Sequence, residues 1–506
     1  MDFVVKRKKA FFILGILTVL YFTLRLPNLT LQPIFADEAI YIRWAQVMRA
    51  EPTLRFLPLS DGKTPLFMWA MIPLLKFIND PLLAGRFLSV ISGFFTLLGV
   101  FFLSRKIFST RTAFWASLLY AITPYTVFFD RMALVDSMLA AFTVWVTFFA
   151  IWLVTSLRID IAMVLGYLLG GALLTKTPGM LNLFILPFSV LGFKNKGRSH
   201  TLVKLIILWG AAIAIALVMY NMLRLGPNFN MLSLRNTDYV FSPLELVGRP
   251  LDPFIPHFRD IADWFPKLFT WPILLSIAMG IIYLAFGMWQ QSFKGQSMLA
   301  GIVLLWVLLP LVLNMAFLRT FTARYLLSGV PLLLCIAGFG VTKLLPRLAY
   351  IKRFPVLLML IVILPLPLYF DYLLLTSPDR APLPKEERKG YFEEWTAGYG
   401  FKDIAAFLIE KNKKNKVVVG TEGFFGTLPD GLYIYLDKAN ISIVGSHATI
   451  SAQIRNAAKD NLTYFVGNKK NIEGSIDNVR LILEYPKAKP RDRSEQDATV
   501  LYQVLP

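Results

Sequence analysis

The sequence is poor in the side chains that form disulfides, metal clusters and water-exposed surfaces. Its 506 residues include one cysteine and three histidines. A single cysteine excludes an intramolecular disulfide and a cysteine-based zinc cluster. Charged residues make up only 17% of the chain, against about a quarter in a typical soluble domain. These deficits exclude an ordinary soluble protein and indicate an integral membrane protein.

Long apolar stretches take the place of the missing charge. The chain is 56% hydrophobic, contains 42 Phe and has a mean hydropathy of +0.57. Stretches long enough to cross ~30 Å of hydrocarbon predict an α-helical polytopic membrane protein with about eleven transmembrane helices. No small-residue cleavage site follows the first stretch, which is therefore expected to remain as a helix. The spans are expected near 10–26, 84–104, 112–129, 133–156, 160–176, 179–193, 201–223, 268–289, 297–318, 325–345 and 354–375.

The formal net charge of +20 is unevenly distributed. Residues 380–506 carry 19 basic and 16 acidic side chains, and the remainder carries 33 and 16. The excess therefore lies between the spans and excludes nucleic acid as a partner. The basic residues concentrate in short loops, which predicts that these loops and the N-terminus are cytoplasmic in a plasma membrane. An odd number of spans then places the C-terminal region outside. The basic loops lie at 6–9, 105–111, 194–204 and 343–353.

The C-terminal part of the chain has a different composition from the rest. Residues 1–376 are expected to form the transmembrane domain, with a first external loop at 27–83. Proline and mixed charge predict a linker at 377–390. Beyond it, "FKDIAAFLIEKNKK" (401–414) is predicted as a helix and "GLYIYLDK" as helix or strand. Four strands are predicted, at "KVVVGTE", "TYFVGN", "VRLILEY" and "TVLYQVLP". This alternation predicts a small extracytoplasmic α/β domain at 391–506.

Two adjacent acids, Asp37 and Glu38, follow the first span in "FADEAIY". One interpretation is helix capping, because an acid at the start of "AIYIRWAQVMRA" would satisfy free backbone amides. The other is catalysis, because ionisable groups at the ends of membrane spans are candidate functional sites. The sequence leaves both interpretations open.

Further polar residues map to the same outer boundary of the predicted membrane. Each by itself is compatible with a long side chain that reaches toward the interface. Together they combine carboxylates, which accept protons, with cations, which hold anions. Sugar transfer from a phosphate-linked lipid needs both: a base for the acceptor hydroxyl and cations for the departing phosphate. The residues are Lys63, Arg131, Asp136, Lys176, Arg324 and Tyr325.

Five segments that contain these polar residues resemble motifs of the GT-C superfamily of polyprenyl-phosphate-dependent glycosyltransferases. The nearest branch contains protein O-mannosyltransferases and the aminoarabinose transferases of lipid A. "FADEAIY" is similar to the acidic motif of its first external loop and "KTPLFMW" to its Lys-Pro-Pro-Leu segment. "RMALVDSML" matches Arg-x-x-x-x-Asp, "LLTKTPG" stands where Lys-Gly is common, and "RYLLSGVPLLL" matches Arg-Tyr…Pro. The resemblance covers about 1–345 in the expected order, although Thr64 replaces the first Pro and Gly62 replaces a metal-binding Glu.

The resemblance implies a role for each matched residue. Asp37 is expected to be the catalytic base or the carboxylate that orients the acceptor, supported by Glu38, in an inverting transfer on the outer face of the membrane. Lys63, Arg131, Arg324 and Tyr325 are expected to bind the donor phosphate, and Asp136 and Lys176 to shape the same cavity. A divalent metal ion held by Asp61 and His257 is a further hypothesis.

The expected partners are a polyprenyl-phosphate sugar donor, membrane lipid, and a glycan, lipid or protein acceptor. The carrier would be undecaprenyl phosphate in bacteria and dolichyl phosphate in archaea or eukaryotes. The sugar and the acceptor stay open, because selectivity lies in the shape of the pocket. The alternative function is a transporter or flippase for a lipid-linked saccharide, which would use the same cations without needing Asp37 as a base.

Overall fold

A computed structural model describes residues 2–193, 199–249, 251–289, 294–351, 355–473, 477–492 and 494–506. The basic loop residues Lys194, Lys196, Arg198, Lys352 and Arg353 lie outside the described residues. The chain forms two compact units. The first comprises 1–27, 55–67 and 89–376, and the second comprises 28–54, 68–88 and 377–506. The second unit therefore joins most of the predicted first external loop to the C-terminal region.

Helices make up most of the described chain, as apolar stretches of this length require. Those before residue 200 are α1 Asp2–Thr23, α2 Ala36–Ala50, α3 Leu66–Phe77, α4 Pro81–Ile107, α5 Thr110–Ile122, α6 Pro124–Asp130, α7 Val135–Ser156, α8 Ile159–Thr175, α9 Leu181–Ile185 and α10 Ser199–Asn221. The next are α11 Met231–Leu234, α12 Pro243–Val247, α13 Phe254–Leu268, α14 Trp271–Trp289, α15 Lys294–Phe317, α16 Val330–Ile351, α17 Pro355–Ile363 and α18 Pro365–Thr376. Those of the C-terminal region are α19 Lys385–Arg388, α20 Phe401–Asn412, α21 Thr427–Leu436 and α22 Ala452–Asp460.

By length and composition, five helical segments of the described residues can cross a membrane, or up to seven if each of two bent pairs is one span. Shorter apolar helices at Phe11–Thr23, Ile159–Thr175, Thr177–Gly192 and Val330–Pro346 coincide with further predicted spans. The predicted fold class, a polytopic helical protein with several apolar helices and a small C-terminal sheet region, is confirmed.

The predicted span 112–129 is bent within its length, and the predicted span 268–289 has a sharp bend at its start. α5 and α6 meet at 58°, and Pro124 is the first residue of α6. Proline lacks the amide hydrogen that would continue α5, so the break falls at that position. α13 and α14 meet at 113°, with Thr270 between them at φ 65°.

The sheet of the second unit has five strands in the order β4-β3-β5-β7-β6. β3 pairs in parallel with β4 and β5, whereas β7 is antiparallel to β5 and β6. The connections through α21 and α22 are those that parallel neighbours need. A two-stranded antiparallel pair, β1 with β2, is also present. The strands are β1 Ile34–Phe35, β2 Ala397–Gly398, β3 Val417–Glu422, β4 Ser442–Ser446, β5 Leu462–Asn468, β6 Val479–Pro486 and β7 Ala498–Val504.

The helix α2, which carries the two acids, belongs to the second unit and contacts α21. Arg43 and Arg49 both pair with Asp437, at 2.7 and 3.3 Å, and Gln46 donates to the carbonyl of Ile434 at 2.9 Å. The predicted helix at 401–414 and the four predicted strands are present. The "GLYIYLDK" segment, predicted as helix or strand, is largely helical.

Candidate active site

The first unit contains a cavity of about 470 Å³ that combines charged and apolar walls. Five of the predicted site residues line it. Four are charged and one is aromatic: Lys63, Asp136, Lys176, Arg324 and Tyr325. Leucine, methionine, proline and phenylalanine side chains form most of the remaining wall. The cavity can therefore accommodate a ligand with an anionic part and an apolar part.

The Tyr325 ring lies close to two cations of the cavity. The Lys176 Nζ is 4.2 Å from the ring centroid and the Arg324 guanidinium carbon is 5.4 Å from it. The Lys176 Nζ also donates to Oδ1 of Asp136 at 2.6 Å. Asp136 is buried in the first turn of α7, and Lys176 follows the last residue of α8. The ends of these two helices thus fix an ion pair in the cavity wall.

Lys63 has a neutral partner. Its Nζ donates to the Tyr239 hydroxyl at 2.9 Å and lies 4.2 Å from the centroid of that ring. Within the described residues, no carboxylate lies within ion-pair distance of Lys63. An aromatic neighbour therefore holds its positive charge in place, and no anion of the described residues pairs with it.

Close backbone approach and a salt bridge position the loop that carries Lys63. Gly62 has φ +66°, and a β-carbon there would lie 2.6 Å from Cβ of Arg235 and 2.9 Å from the Met231 carbonyl oxygen. Only glycine fits this left-handed, crowded position easily. The Arg235 guanidinium donates to Asp61 at 2.6 Å. Gly62 therefore allows tight packing of this loop against the 231–238 segment.

Backbone hydrogen bonds position Tyr239. The amide of Arg319 donates to the Tyr239 carbonyl at 2.8 Å, and the amide of Phe241 donates to the Phe317 carbonyl at 2.8 Å. This short antiparallel bridge joins the 239–241 segment to the end of α15. Sequence reasoning missed Tyr239, because a tyrosine in a polar loop carries no charge that marks it as a ligand of Lys63.

Arg131 is placed apart from the cavity lining. It is buried, and its Nη1 donates to the carbonyls of Arg25 and Pro27 at 2.7 and 2.9 Å. Arg25 in turn donates from Nε to Asp130 at 3.0 Å. Together these contacts join the end of α6 to the segment that follows α1.

The second unit holds Glu38 in a buried ion pair with Arg86. The Arg86 Nε and Nη2 donate to the two carboxylate oxygens at 2.8 and 2.7 Å, and both side chains are almost fully buried. Arg86 also donates to the carbonyls of Leu29, Gln32 and Pro33 at 2.9 to 3.0 Å. The pair therefore shapes the loop before α2.

Glu38 also has the capping function that the sequence left open. Its Oε2 accepts from the amide of Phe35 at 3.0 Å, as in a capping box. Asp37 occupies the first turn of α2 and is partly exposed. The adjacent acids thus have different environments: one is buried and paired, and the other is partly accessible.

The two residues of the metal hypothesis are engaged in other contacts. Asp61 pairs with Arg235. His257 is buried, with Nδ1 2.9 Å from the Met315 carbonyl oxygen and its ring 4.4 Å from that of Phe321. The described part of the chain contains no group of three or more His, Cys, Asp or Glu side chains that could hold a metal ion. These contacts do not provide a ligand set for a metal.

Comparison with known proteins identifies related folds. The model of the family described as dolichyl-phosphate-mannose-protein mannosyltransferase matches residues 62–223, a segment that includes Lys63, Asp136 and Lys176. No curated protein sequence matches the chain closely enough to be considered a relative.

Solved structures resemble the chain over nearly its full length. The structure of ArnT from Cupriavidus metallidurans in the apo state has a TM-score of 0.56 at 14% identity, covering 98% of both chains. ArnT bound to undecaprenyl phosphate has a TM-score of 0.55 at 15% identity, covering 97% of both. A third structure is the oligosaccharyltransferase AglB from Archaeoglobus fulgidus in complex with an inhibitory peptide and a dolichol-phosphate. Its TM-score is 0.54 at 14% identity, and the match covers 92% of this chain and 70% of AglB. The predicted resemblance to the GT-C superfamily is confirmed, and at these identities it establishes the fold.

Proposed function

We propose that this protein is a membrane glycosyltransferase that moves a sugar from a polyprenyl-phosphate donor to an acceptor hydroxyl on the outer face of the membrane. The observation that carries the proposal is the composition of the cavity in the first unit. Three cations, Lys63, Lys176 and Arg324, line it together with one carboxylate, Asp136. A phosphate would balance the excess positive charge.

The apolar wall suits the lipid part of the donor. Phe184 lines the cavity and is 64% exposed, so the cavity is not closed on the side of this residue. An exposed phenylalanine in an apolar segment is expected to face lipid. A polyprenyl chain would leave the cavity here while its phosphate remained beside the cations.

The cations favour departure of the phosphate. During transfer, the acceptor oxygen attacks the anomeric carbon, and the bond from that carbon to the phosphate oxygen breaks with its electron pair going to the phosphate. Positive groups already fixed near the phosphate stabilise this charge without reorganisation. Lys63 is the strongest candidate, because its protein partner, Tyr239, is neutral.

The proton of the acceptor hydroxyl needs a base, and we assign this role to Asp37. Glu38 is less suited to it, because Arg86 and the Phe35 amide already use its carboxylate oxygens. Glu38 is therefore proposed as a positioning residue for the start of α2. Attack from the face opposite the phosphate would invert the anomeric configuration.

Arg131 is also proposed as a positioning residue, because it donates hydrogen bonds to backbone carbonyls. Its contacts to the carbonyls of Arg25 and Pro27 hold the chain where the first external loop begins. Asp136 is proposed to orient Lys176. The resemblance to folds solved with undecaprenyl phosphate and with a dolichol-phosphate supports a lipid-phosphate donor and leaves the carrier, the sugar and the acceptor open.

The experiment uses the purified protein in lipid nanodiscs, a polyprenyl-phosphate sugar labelled in both parts, and a crude acceptor fraction. Release of free polyprenyl phosphate with appearance of the sugar on an acceptor is expected. In sealed vesicles, movement of the intact donor across the bilayer without cleavage would instead support the transporter function and contradict the proposal.

A further inference from the structure

A second cavity, of about 270 Å³, lies in the C-terminal α/β region. It is formed at the carboxyl ends of β3 and β5, and both strands end in a polar residue, Glu422 and Asn468. The connection that leaves β3 leads to β4 on one side of the sheet. The connection that leaves β5 leads toward β6 and β7 on the other side. The crevice between two such strands is where open α/β sheets usually bind ligands.

The polar groups of this cavity form an ordered network. The Glu422 carboxylate accepts from the backbone amide and the Nδ2 of Asn468 at 2.5 and 3.1 Å, and from the Nδ2 of Asn471 at 2.7 Å. Lys487 is fully buried, donates to the Oδ1 of Asn468 at 2.5 Å and pairs with Asp497 at 2.8 Å. Hydrogen bonds within the protein therefore fix the orientation of Glu422, Asn468 and Asn471, three polar side chains of the cavity wall.

The wall of this cavity includes a buried hydroxyl that has no hydrogen-bond partner among the described residues. Thr427 lines the cavity and is 2% exposed, and its Oγ1 makes no hydrogen bond within the described residues. Leaving a buried hydroxyl unpaired costs free energy. The Thr427 oxygen has almost no accessible surface, so a ligand hydroxyl would supply the missing bond only after the Thr427 side chain rotated toward the cavity.

Aromatic rings complete the wall. Trp395 and Phe425 line the cavity and are about half exposed, at 49% and 51%. Phe425 lies in the segment Gly423–Gly426, whose two glycines have φ +81° and +109°. This left-handed backbone turns the two intervening phenylalanines outward. The Phe425 ring is also 6.0 Å from the ring of buried Trp44, which supports it from behind.

These features together define the chemistry of the ligand. Carboxylate and amide oxygens accept hydrogen bonds, which suits a ligand rich in hydroxyl donors. Flat aromatic faces suit the C–H face of a sugar ring. Glu422 is the one charged side chain in the described lining, so a phosphate or other anion would be disfavoured. The volume equals that of several water molecules at about 30 Å³ each, enough for one monosaccharide unit.

We infer that this cavity is a binding site for a neutral saccharide. Binding is a property of the α/β region and does not require sugar transfer. That the saccharide belongs to the acceptor of the reaction rests on the proposed function.

The test measures binding of donor-free sugars to the full-length protein in nanodiscs by saturation-transfer NMR. The probes are methyl α-mannoside, methyl β-glucoside, a mannotriose and mannose 6-phosphate. At least one neutral probe is expected to bind saturably, with a dissociation constant on the order of 1 mM. Mannose 6-phosphate is expected to bind more weakly than methyl α-mannoside.

Adjacent phenylalanines provide a matched pair of variants. Phe425→Ala is expected to weaken binding about tenfold. Phe424→Ala is expected to leave binding unchanged, because Phe424 is also exposed but does not line the cavity. Trp395→Ala is a second test of the lining. Thermal unfolding midpoints should match the unmodified protein, since all three side chains are about half exposed or more.

Three outcomes would overturn the inference. They are the absence of saturable binding by every neutral probe, equal loss of binding in the Phe424 and Phe425 variants, and tighter binding of the phosphorylated sugar. Failure of donor cleavage in the transfer assay would leave this result unaffected, so the two proposals fail separately.

Discussion

Arg86 and Glu38 form a two-point ion pair, with both nitrogen–oxygen distances below 3 Å and both side chains almost fully buried. Removing one partner leaves an uncompensated buried charge. Glu38→Ala is therefore expected to lower the free energy of unfolding by about 3–5 kcal/mol. Thermal unfolding in detergent measures this. Glu410→Ala is the control, because its pairing with Lys413 is exposed, and no change in unfolding midpoint is expected.

The two adjacent acids should differ in their effect on turnover. Asp37→Asn keeps the size of the side chain but removes its basicity, so the rate of transfer is expected to fall ~10²–10⁴-fold while donor binding is retained. Glu38→Gln, compared at equal folded amounts, should have a smaller effect on rate. Near-normal turnover by the Asn variant would remove Asp37 as the base and return it to a role at the helix start.

Substitution of Gly62 tests whether the loop that carries Lys63 must pack closely against the 231–238 segment. Gly62→Ala requires a left-handed backbone for a residue with a β-carbon, at about 1–2 kcal/mol, and creates a contact of 2.6 Å with Arg235. Weaker donor binding and a lower unfolding midpoint are expected. Gly248→Ala, with open space around it and a negative φ, should behave like the unmodified protein. Equal behaviour of the two variants would contradict the packing argument.

The distribution of Lys and Arg predicts the orientation of the chain in the membrane. The experiment labels a Lys413→Cys variant with an impermeant maleimide in intact cells. Lys413 is 66% exposed, and the native Cys335 is buried. Labelling of intact cells is expected if residues 380–506 lie outside. Protection until lysis would place this region in the cytoplasm.

The sequence predicted most of the charged cavity. Lys63, Asp136, Lys176 and Arg324 were found because ionisable groups at the ends of apolar segments are costly without a role. The partners of Arg131 and Glu38 were not predictable. Arg86 lies inside a predicted span, and the carbonyls that Arg131 contacts carry no sequence signal.

Some elements of the fold also lack a clear sequence signal. Strand β4 was not predicted, because "SIVGS" is a short edge strand with little apolar content. α3 was not predicted as a membrane span, because it is short and contains Pro73. The association of 28–54 and 68–88 with the C-terminal region depends on contacts distant in sequence, such as Gln46 with Ile434. The predicted domain boundaries at 376 and 391 stay predictions.

The proposal depends most on the cavity of the first unit holding the donor phosphate. Its most direct test is the affinity for polyprenyl phosphate of the unmodified protein and of Lys63→Met, which keeps the length of the side chain and removes its charge. Because Lys63 is partly buried in a mostly apolar cavity wall, loss of the cation is expected to weaken binding by at least about tenfold. Lys267→Met, in an exposed ion pair with Asp263, should bind like the unmodified protein. Equal affinity of the Lys63 variant and the unmodified protein would contradict the placement of the phosphate in this cavity.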